Sequence, residues 1–374
     1  MNKKTKTVFI LGAGFSIDAK APSQEKLVQK IFETYKIEPT VIGIDKMKEF
    51  TSFLRETMHI PEALQETIPL EDIFTPLDRC IVDNVSFRNL GNEALKKKRE
   101  LIFELIGKTL QYLLLNVDKG YIDLFGKYLV ETAKCRKDSN FDIFDPVSVI
   151  STNWDILLDN SIYNYIQISN YDAVADYCCY ISSYHKEDKS VKPGLEVLGR
   201  GGFNVKLLKL HGSLNWLQCP RCHRLYVKFN EKIAMNPYAD VGKPTCRHCE
   251  HNFGENKSHS LISNLIMPTF LKDLSNPQYK IIWQNAGIEL SEAKKIVFIG
   301  YSLPQSDFEM RQLLSRMVSE NTEIEVVDFK CLDDGGAKFN ALISNYRQFF
   351  GREIKYYENG AADYVNTEVF KLIK

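Results

Sequence analysis

The stretch that decides the fold is residues 7–16, TVFILGAGFS. Its first five residues are β-branched or apolar, which is typical of a buried strand, and Gly12 and Gly14 follow directly in a turn. After the turn, Leu27 and Ile31 belong to an apolar set at helical spacing. The stretch therefore predicts a strand, a glycine turn and a helix, the unit that opens many α/β proteins.

Four later runs have the same character as the first strand. They are apolar on both faces and lie at residues 147–151, 205–210, 296–300 and 324–327. Strands that are apolar on both faces belong to parallel sheets, because crossover helices cover both sides of such a sheet. The expected fold class is therefore α/β, a Rossmann-like open parallel sheet with a helical insertion and a small four-cysteine zinc module.

The length of 374 residues suits one large domain with insertions. Residues 41–140 are predicted to form the helical insertion, whose clearest element is a helix over residues 93–118. Residues 216–262 are predicted to form a zinc-ribbon module. The Rossmann-like domain is then expected in three parts, at residues 1–40, 141–215 and 263–374.

The charge balance argues against a polyanionic partner. The chain has 48 basic and 48 acidic residues, so no overall field attracts nucleic acid or anionic lipid. A basic cluster at residues 96–99 could contact nucleic acid, but a solvated helix end explains it better. No apolar run approaches the roughly 18 residues of a membrane span. A signal peptide at the N-terminus is disfavoured because the glycine turn interrupts its apolar stretch, so we expect a cytoplasmic protein without a membrane partner.

The glycine turn is a candidate phosphate-binding turn. Glycines let the backbone approach a pyrophosphate whose charge is received by free N–H groups. The third glycine of the usual dinucleotide pattern is replaced by Ile17, so a purely structural turn is the alternative. The candidate cofactor-binding residues here are Gly12, Ala13, Gly14, Phe15 and Ser16.

Two Cys-x-x-Cys pairs are separated by 23 residues. Each pair aims two thiolates at one ion, and two pairs complete a tetrahedral zinc shell with no position left for water. We therefore expect a structural Zn²⁺, with a redox or disulfide role and a nucleic-acid-binding ribbon as alternatives. His223, His248 and His251 are interpreted as solvated loop residues. The predicted ligands are Cys219, Cys222, Cys246 and Cys249.

Polar motifs follow three of the predicted strands. Ligands of open α/β sheets bind at the carboxyl ends of the strands, so these motifs and the glycine turn should converge on one crevice. Taken alone, His211 could be a structural histidine, Asn153 a turn residue and Asp155 a helix cap. The candidate residues in these motifs are Thr152, Asn153, Asp155, His211, Gly300, Tyr301 and Ser302.

The order of these motifs resembles that of sirtuins. The glycine turn, Thr-Asn-Trp-Asp at residues 152–155, His-Gly at 211–212, the four-cysteine module and Gly-Tyr-Ser at 300–302 follow one another as they do in that family. The resemblance implies a site for nicotinamide adenine dinucleotide, NAD⁺, as substrate, with zinc as a structural ion. It implies that Asn153 and His211 are catalytic.

The resemblance also implies individual roles. Asn153 would hold the nicotinamide ribose and a water, Asp155 would recognise the carboxamide, and His211 would act as general base on a ribose hydroxyl. The glycine turn would cradle phosphate, while Gly300, Ser302 and Asp328 would line the adenosine side. Cleavage of the nicotinamide bond has an oxocarbenium-like transition state, which calls for positioning, negative charge and a base.

Several positions depart from deacylating sirtuins. Residues 20–25 keep Pro22 but lack the Phe and Arg of the usual motif, and residues 266–272 differ from the segment that pairs with an acyl-lysine peptide. These departures resemble the bacterial antiphage-defence branch, whose members hydrolyse NAD⁺. The leading hypothesis is therefore an NAD⁺ glycohydrolase that depletes NAD⁺ in abortive infection. The alternatives are an NAD-dependent deacylase or ADP-ribosyltransferase, and a catalytically silent nucleotide- or DNA-binding subunit.

A free NAD⁺ hydrolase is toxic, and the resemblance implies restraint by oligomerisation or by a partner such as a HerA-type ATPase. A homo-oligomer is therefore expected. The insertion and an apolar helical stripe at residues 337–350 are candidate contact surfaces, although burial in the core explains that stripe at least as well.

Overall fold

A computed structural model gives the structure of the chain. It describes residues 5–115, 117–138, 145–183, 194–228, 244–254, 259–267, 272, 274, 276–331 and 333–372. Residues 268–271, part of the stretch that departs from the deacylases, lie outside the described residues. No helix within the described ranges is long and apolar enough to span a membrane.

Within the described residues, seven parallel strands form the main sheet: β1 Thr7–Leu11, β2 Val147–Ser151, β3 Ala173–Asp176, β5 Phe203–Lys209, β9 Lys295–Ile299, β10 Glu323–Val327 and β11 Lys355–Tyr357. Their order across the sheet is β11-β10-β9-β1-β2-β5-β3. The first strand lies in the middle of the sheet, the next strands extend it outward through β2 on one side, and the chain then returns to β9 on the other side of β1. This arrangement places a topological switch point between β1 and β9.

The predicted strands are confirmed to within two residues at each end. Their side chains are buried on both faces, and β2 is buried at every position. The short strands β3 and β11 escaped prediction. Each has at most four residues, too few to give a periodic signal. The expected open α/β parallel sheet is thus the observed architecture.

Thirteen α-helices surround and extend the sheets in the described part of the chain. They are α1 Leu27–Ile37, α2 Pro39–Ile42, α3 Ile44–Ser52, α4 Leu70–Val82, α5 Asn92–Leu113, α6 Gly120–Ala133, α7 Leu157–Ile168, α8 Gly194–Leu198, α9 Arg247–Phe253, α10 Pro277–Glu292, α11 Phe308–Met317, α12 Ala337–Phe350 and α13 Gly360–Tyr364. Helix α1 begins eleven residues after Ser16, the last residue of the glycine turn, which forms a short 3-10 turn at Ala13–Ser16.

Helices α3 to α6 occupy the predicted insertion. The expected helix over residues 93–118 is α5, which ends at Leu113. The basic cluster at its start is held by acidic partners: Lys98 pairs with Glu49 at 2.6 Å, and Arg99 pairs with Asp78 at 2.6 Å. Lys98 and Arg99 are therefore half-buried in the packing between insertion helices, whereas Lys96 and Lys97 are exposed, as the solvated-end interpretation predicted.

A second sheet of four strands carries the cysteine module. Its order is β4-β7-β6-β8, with β4 Ile181–Ser183, β6 Gly212–Gln218, β7 Leu225–Val227 and β8 Ile262–Leu265. Strand β6 begins three residues after β5 ends, so the chain passes directly from the main sheet into the second one. This passage places residue 211 at the junction of the two sheets.

The C-terminal helical stripe faces the core. In α12, Phe339, Leu342 and Tyr346 are buried, and Tyr346 is fully inaccessible. The Tyr346 hydroxyl donates to the backbone carbonyl of Tyr301 at 2.6 Å. The stripe is thus explained by packing against the loop after β9.

Candidate functional site

A cavity of about 370 Å³ lies at the carboxyl ends of the central strands. Its volume is within the range of small-molecule sites. Loops after β1, β2, β5, β9 and β10 all reach it, and so do helices α4 and α5 of the insertion. Among the predicted residues, it is lined by Ala13, Gly14, Ser16, Thr152, Asn153, Asp155, His211, Gly300, Tyr301, Ser302 and Asp328.

The glycines of the turn meet the backbone of the loop after β9. A Cβ on Gly14 would lie 2.5 Å from the Cα of Gly300, and a Cβ on Gly12 would lie 2.5 Å from the carbonyl oxygen of Gly300. Gly300 itself has a φ of +61°. Because backbone atoms cannot move aside as a side chain can, glycine is required at these positions by the close approach of two loops. This requirement comes from packing and holds whether or not a phosphate binds at the turn.

Three amides of the turn are already used within the protein. Gly12 donates to the carbonyl of Ile299 at 3.1 Å, Gly14 to that of Gly300 at 2.9 Å, and Phe15 to that of Gly12 at 2.9 Å. The side chain of Phe15 is buried against α6 and does not line the cavity. Ala13, Gly14 and Ser16 line it, and because the Gly14 amide is already used, Ala13 and Ser16 are the turn residues best placed to contact a ligand.

Asn153 is oriented by the turn. Its Nδ2 donates to the carbonyl oxygen of Gly12 at 2.8 Å, while its own backbone amide donates to the Ser151 hydroxyl at 3.2 Å. Thr152 is tied to Leu11 through both its amide and its hydroxyl. The loop after β2 is therefore fixed to the end of β1 before any ligand enters.

Asp155 lines the cavity and also caps the start of helix α7. One carboxylate oxygen accepts from the Ser16 hydroxyl at 2.9 Å, and the other accepts from the Leu157 amide at the start of α7. Burial raises the pKa of Asp155, and the charge of Lys209 opposes that rise without cancelling it. Lys209 is itself fully buried and pairs with Asp159 at 3.1 Å. Both the ligand and the cap interpretations of Asp155 thus have a geometric basis.

His211 lies at the junction of the two sheets and is buried, with 9% of its side chain exposed. Its backbone carbonyl accepts from the Ile266 amide at 3.0 Å, and its ring packs near that of Trp283. The Trp283 indole in turn donates to the carbonyl of Leu210 at 3.2 Å. The imidazole is therefore held between β5 and α10 with an edge toward the cavity.

Two charged residues beside His211 were not anticipated from the sequence. Asp307 lies 3.6 Å from Nε2 of His211 and accepts from the Tyr301 hydroxyl at 2.7 Å. Lys272 pairs with Asp307 at 2.9 Å, and its side chain is 1% exposed. Burial raises the pKa of Asp307, but His211 and Lys272 outweigh burial, so this pKa lies well below its usual value. Asp307 lies in the loop already singled out at residues 300–304, only three residues further on.

The loop from Gly300 to Asp307 is conformationally restricted. Leu303 has a φ of +53° and is buried, which is unusual for a bulky side chain. Its carbonyl accepts from Arg311 at 2.9 Å. Ser302 in the same loop is exposed toward the cavity. Strain of this kind persists where the surrounding contacts determine it, and it often accompanies a binding site.

The adenosine-side candidate Asp328 lines the cavity at the end of β10. Its carboxylate accepts from the amide of Phe329 at 2.7 Å. Burial raises the pKa of Asp328, and this hydrogen bond opposes the rise. The side chain is therefore held against its own loop, with a position on the cavity wall.

The insertion contributes directly to the cavity. Glu71, at the start of α4, accepts from Gln24 Nε2 at 3.0 Å and from the Ser306 hydroxyl at 3.1 Å. These two partners come from the loop before α1 and the loop after β9. One glutamate thus ties three segments together at the rim, a role that nothing in the spacing of the sequence indicated.

The four predicted zinc ligands form one cluster. Their sulfur atoms lie within 4.8 Å of one another, and the Cys219–Cys249 and Cys222–Cys246 pairs are each 3.7 Å apart. Tetrahedral Zn–S bonds of about 2.3 Å imply sulfur–sulfur distances near 3.8 Å, so the donor set fits Zn²⁺. His223 and His251 are exposed beside the cluster. The expected zinc module is therefore supported by the geometry of its thiols.

No protein-family model matches the chain, and no curated protein matches it. Among solved structures, a Sir2 homolog–NAD complex is 13% identical, with a TM-score of 0.44, over 99% of this chain and 92% of that chain. A Sir2 homologue mutant in complex with 2′-O-acetyl ADP ribose is 13% identical, with a TM-score of 0.43, over 100% and 96%. Sir2Tm bound to a propionylated peptide is 12% identical, with a TM-score of 0.38, over 99% and 94%.

Proposed function

We propose that this chain is an enzyme that binds NAD⁺ and cleaves the bond between nicotinamide and ribose. The observation that carries the proposal is the meeting of Asn153, Asp155 and His211 in one cavity at the switch point of the sheet. Ligands of open α/β sheets bind at that place. The same three residues are those to which the motif resemblance gives roles in this reaction.

The charge of the cavity suits the reaction. Among the described residues, its wall contains more carboxyl side chains than ammonium groups and is therefore acidic: Glu25, Glu71, Asp155, Asp307 and Asp328 against Lys272. Departure of nicotinamide leaves positive charge on the ribose, which nearby carboxylates stabilise. The phosphates would be received at Ala13 and Ser16 of the glycine turn, since the amides of Gly12, Gly14 and Phe15 already donate within the protein.

His211 suits the role of general base. It lines the cavity and has a carboxylate 3.6 Å from Nε2, so its imidazole can act as the acceptor of a proton from a ribose hydroxyl. Asn153, fixed by Gly12, would hold the ribose and a water molecule. These positions give the chain's own residues two tasks, proton transfer and placement of the reacting ring.

For the acceptor, we propose water, which makes the protein an NAD⁺ glycohydrolase that yields nicotinamide and ADP-ribose. Two observations support this choice. The chain lacks the Phe and Arg that follow the glycine turn in deacylases, and its own Lys272 occupies part of the cavity wall, where it pairs with Asp307. A role as an effector of antiphage defence, with homo-oligomerisation or a HerA-type ATPase as restraint, is a further proposal that rests on the motif resemblance alone.

Deacylation is the second candidate, and a specific observation favours it. The ligands named for the matched solved structures are a propionylated peptide and 2′-O-acetyl ADP ribose, as well as NAD. The acylated peptide and the acetylated ADP ribose are ligands of acyl transfer rather than of hydrolysis of the dinucleotide. The ligands of the matched structures therefore support the deacylase alternative better than they support water as the acceptor.

One assay separates the candidates. Purified full-length chain is incubated with NAD⁺ alone and with NAD⁺ plus acetyl- or propionyl-lysine peptides, and nicotinamide is quantified by chromatography. Release without peptide supports the hydrolase, and release only with peptide supports the deacylase. Asn153→Ala and His211→Ala should each abolish release, while His59→Asn, at an exposed histidine remote from the cavity, should not. Calorimetry that finds no NAD⁺ binding but tight DNA binding would replace both candidates by the silent-subunit alternative.

A further inference from the structure

A carboxylate, an imidazole and an ammonium group share one wall of the cavity. Asp307 is the residue that precedes α11, His211 follows β5, and Lys272 precedes α10. Oδ2 of Asp307 accepts from the Tyr301 hydroxyl at 2.7 Å. Oδ1 lies 2.9 Å from the Lys272 ammonium and 3.6 Å from Nε2 of His211. The carboxylate therefore stands between the base and a fixed cation.

One of the two facing atoms lacks a hydrogen bond. Within the described residues, Nε2 of His211 has no hydrogen-bond partner although it is inaccessible to solvent, whereas Oδ1 of Asp307 is paired with the Lys272 ammonium at 2.9 Å. A buried polar atom without a partner is unfavourable, so such atoms are rare in folded proteins. At 3.6 Å the two atoms are slightly too far apart for a hydrogen bond, and a movement of about half an ångström would form one.

We infer that Asp307 is a positioning residue for His211, and that Lys272 competes with His211 for the same carboxylate. This inference rests on the proposed function for its catalytic consequence. When Asp307 accepts from His211, it fixes the orientation and tautomer of the ring and stabilises the imidazolium that forms after proton transfer. Asp307 does not itself touch the reacting ribose.

The competition follows from how Lys272 is held. Its side chain is 1% exposed, and its ammonium also pairs with Glu309 at 2.6 Å. A cation in this position withdraws part of the negative charge of Asp307 from the imidazole. The other carboxyl groups on the described part of the cavity wall are those of Glu25, Glu71, Asp155 and Asp328.

The two neighbours therefore act on His211 in opposite directions. A carboxylate beside an imidazole favours the protonated ring, and an ammonium group disfavours it. Asp307→Asn should move the titration midpoint of His211 to lower pH, and Lys272→Met should move it to higher pH. A residue that only packs against the ring, without acting on its charge, would leave the midpoint unchanged.

The experiment uses the full chain in two ways. In the unliganded protein, the C2 proton of His211 is followed by NMR from pH 5 to 9 in the wild type, Asp307→Asn, Asp307→Glu, Lys272→Met and the exposed control Glu320→Gln. With NAD⁺, kcat and KM are measured over the same range. Asp307→Asn should lower kcat about 100-fold with KM changed less than about threefold, because orientation and charge act in the transition state. Asp307→Glu should restore part of kcat.

The outcomes are distinguishable from those of the proposed function. Wild-type protein that neither binds NAD⁺ nor releases nicotinamide contradicts the proposed function, while the NMR titration still decides the inference. Midpoints that move in the same direction in both variants, or stay within the error of the Glu320→Gln control, overturn the inference. If Asp307→Asn does not fold, Lys272→Met alone decides: a midpoint unchanged or lowered rejects the competition for Asp307.

Discussion

The side-chain amide of Asn153 donates to the backbone carbonyl of Gly12 at 2.8 Å, so the loop after β2 is fastened to the turn after β1. These two segments are 141 residues apart in the sequence and adjacent in the sheet. The contact sets the orientation of the amide before a ligand binds. Such preorganisation is what positioning of a reactive ring requires.

Asn153→Ala should abolish nicotinamide release while the fold is retained. The variant loses the positioned amide but leaves the strands of the sheet unchanged, and Asn153 is only partly buried. We expect kcat to fall at least about 100-fold and the melting temperature to change by less than about 4 °C. Activity is measured by chromatography and stability by calorimetry. The exposed turn variant Asn321→Ala is the matched control, and an Asn153→Ala enzyme with half of wild-type activity would contradict the assigned role.

Gly300→Ala and Gly14→Ala should destabilise the whole domain. A Cβ on Gly300 would lie 2.2 Å from the carbonyl carbon of Gly14, and the Gly300 φ of +61° disfavours any side chain. We expect a loss of roughly 2–4 kcal/mol in the free energy of unfolding, measured with urea.

Gly107→Ala provides the control for the glycine variants. Gly107 lies within α5, and a Cβ there would meet no atom within 4 Å. Alanine is a better helix former than glycine, so this variant should gain up to about 1 kcal/mol. Equal effects of Gly300→Ala and Gly107→Ala would show that the two loops do not approach as closely as described.

The central strands and the cysteine cluster were predictable because each has a strong local signal. The apolar composition of five segments predicts strands, and the spacing of the two Cys-x-x-Cys pairs predicts a metal site. The meeting of Asn153 and His211 was also predictable, since the carboxyl ends of parallel strands share one edge of the sheet.

Other features depend on contacts that sequence spacing does not encode. Lys272 and Glu71 reach the cavity from segments with no motif, and each is defined there by its partners in other loops. The requirement for glycine at position 14 is set by Gly300, 286 residues away, rather than by a ligand. Partners that are this distant in sequence become visible only in three dimensions.

Cys219→Ser should remove zinc and destabilise the second sheet. The purified chain is expected to contain one Zn²⁺ per molecule by mass spectrometry of the metal. The thiol of Cys219 is fully buried beside that of Cys249, so the loss of this ligand leaves three thiolates to hold the ion. Binding of structural zinc contributes to folding, and the melting temperature should fall by several degrees.

Cys80→Ser is the control for the zinc experiment. Cys80 lies in α4, outside the cluster, and its loss should leave zinc content unchanged. Zinc-free wild-type protein of full stability would refute the structural metal site. A disulfide found by mass spectrometry among the four cysteines would favour the redox alternative.

Asp155→Asn should change how stability depends on pH. Burial raises the pKa of Asp155 above its ordinary value of 3.8, so the folded state holds this proton more tightly than the unfolded state does. Stability contributed by such a group is present at low pH and is lost as pH rises from about 4 through the raised value. The variant should therefore gain stability relative to the wild type over that interval, and the difference should become constant at higher pH.

Urea unfolding at pH 4, 5, 6 and 7 measures this difference in the free energy of unfolding, with exposed Asp333→Asn as control. A difference that does not vary with pH, or that shrinks as pH rises, would mean that the Ser16 and Lys209 contacts outweigh burial at Asp155.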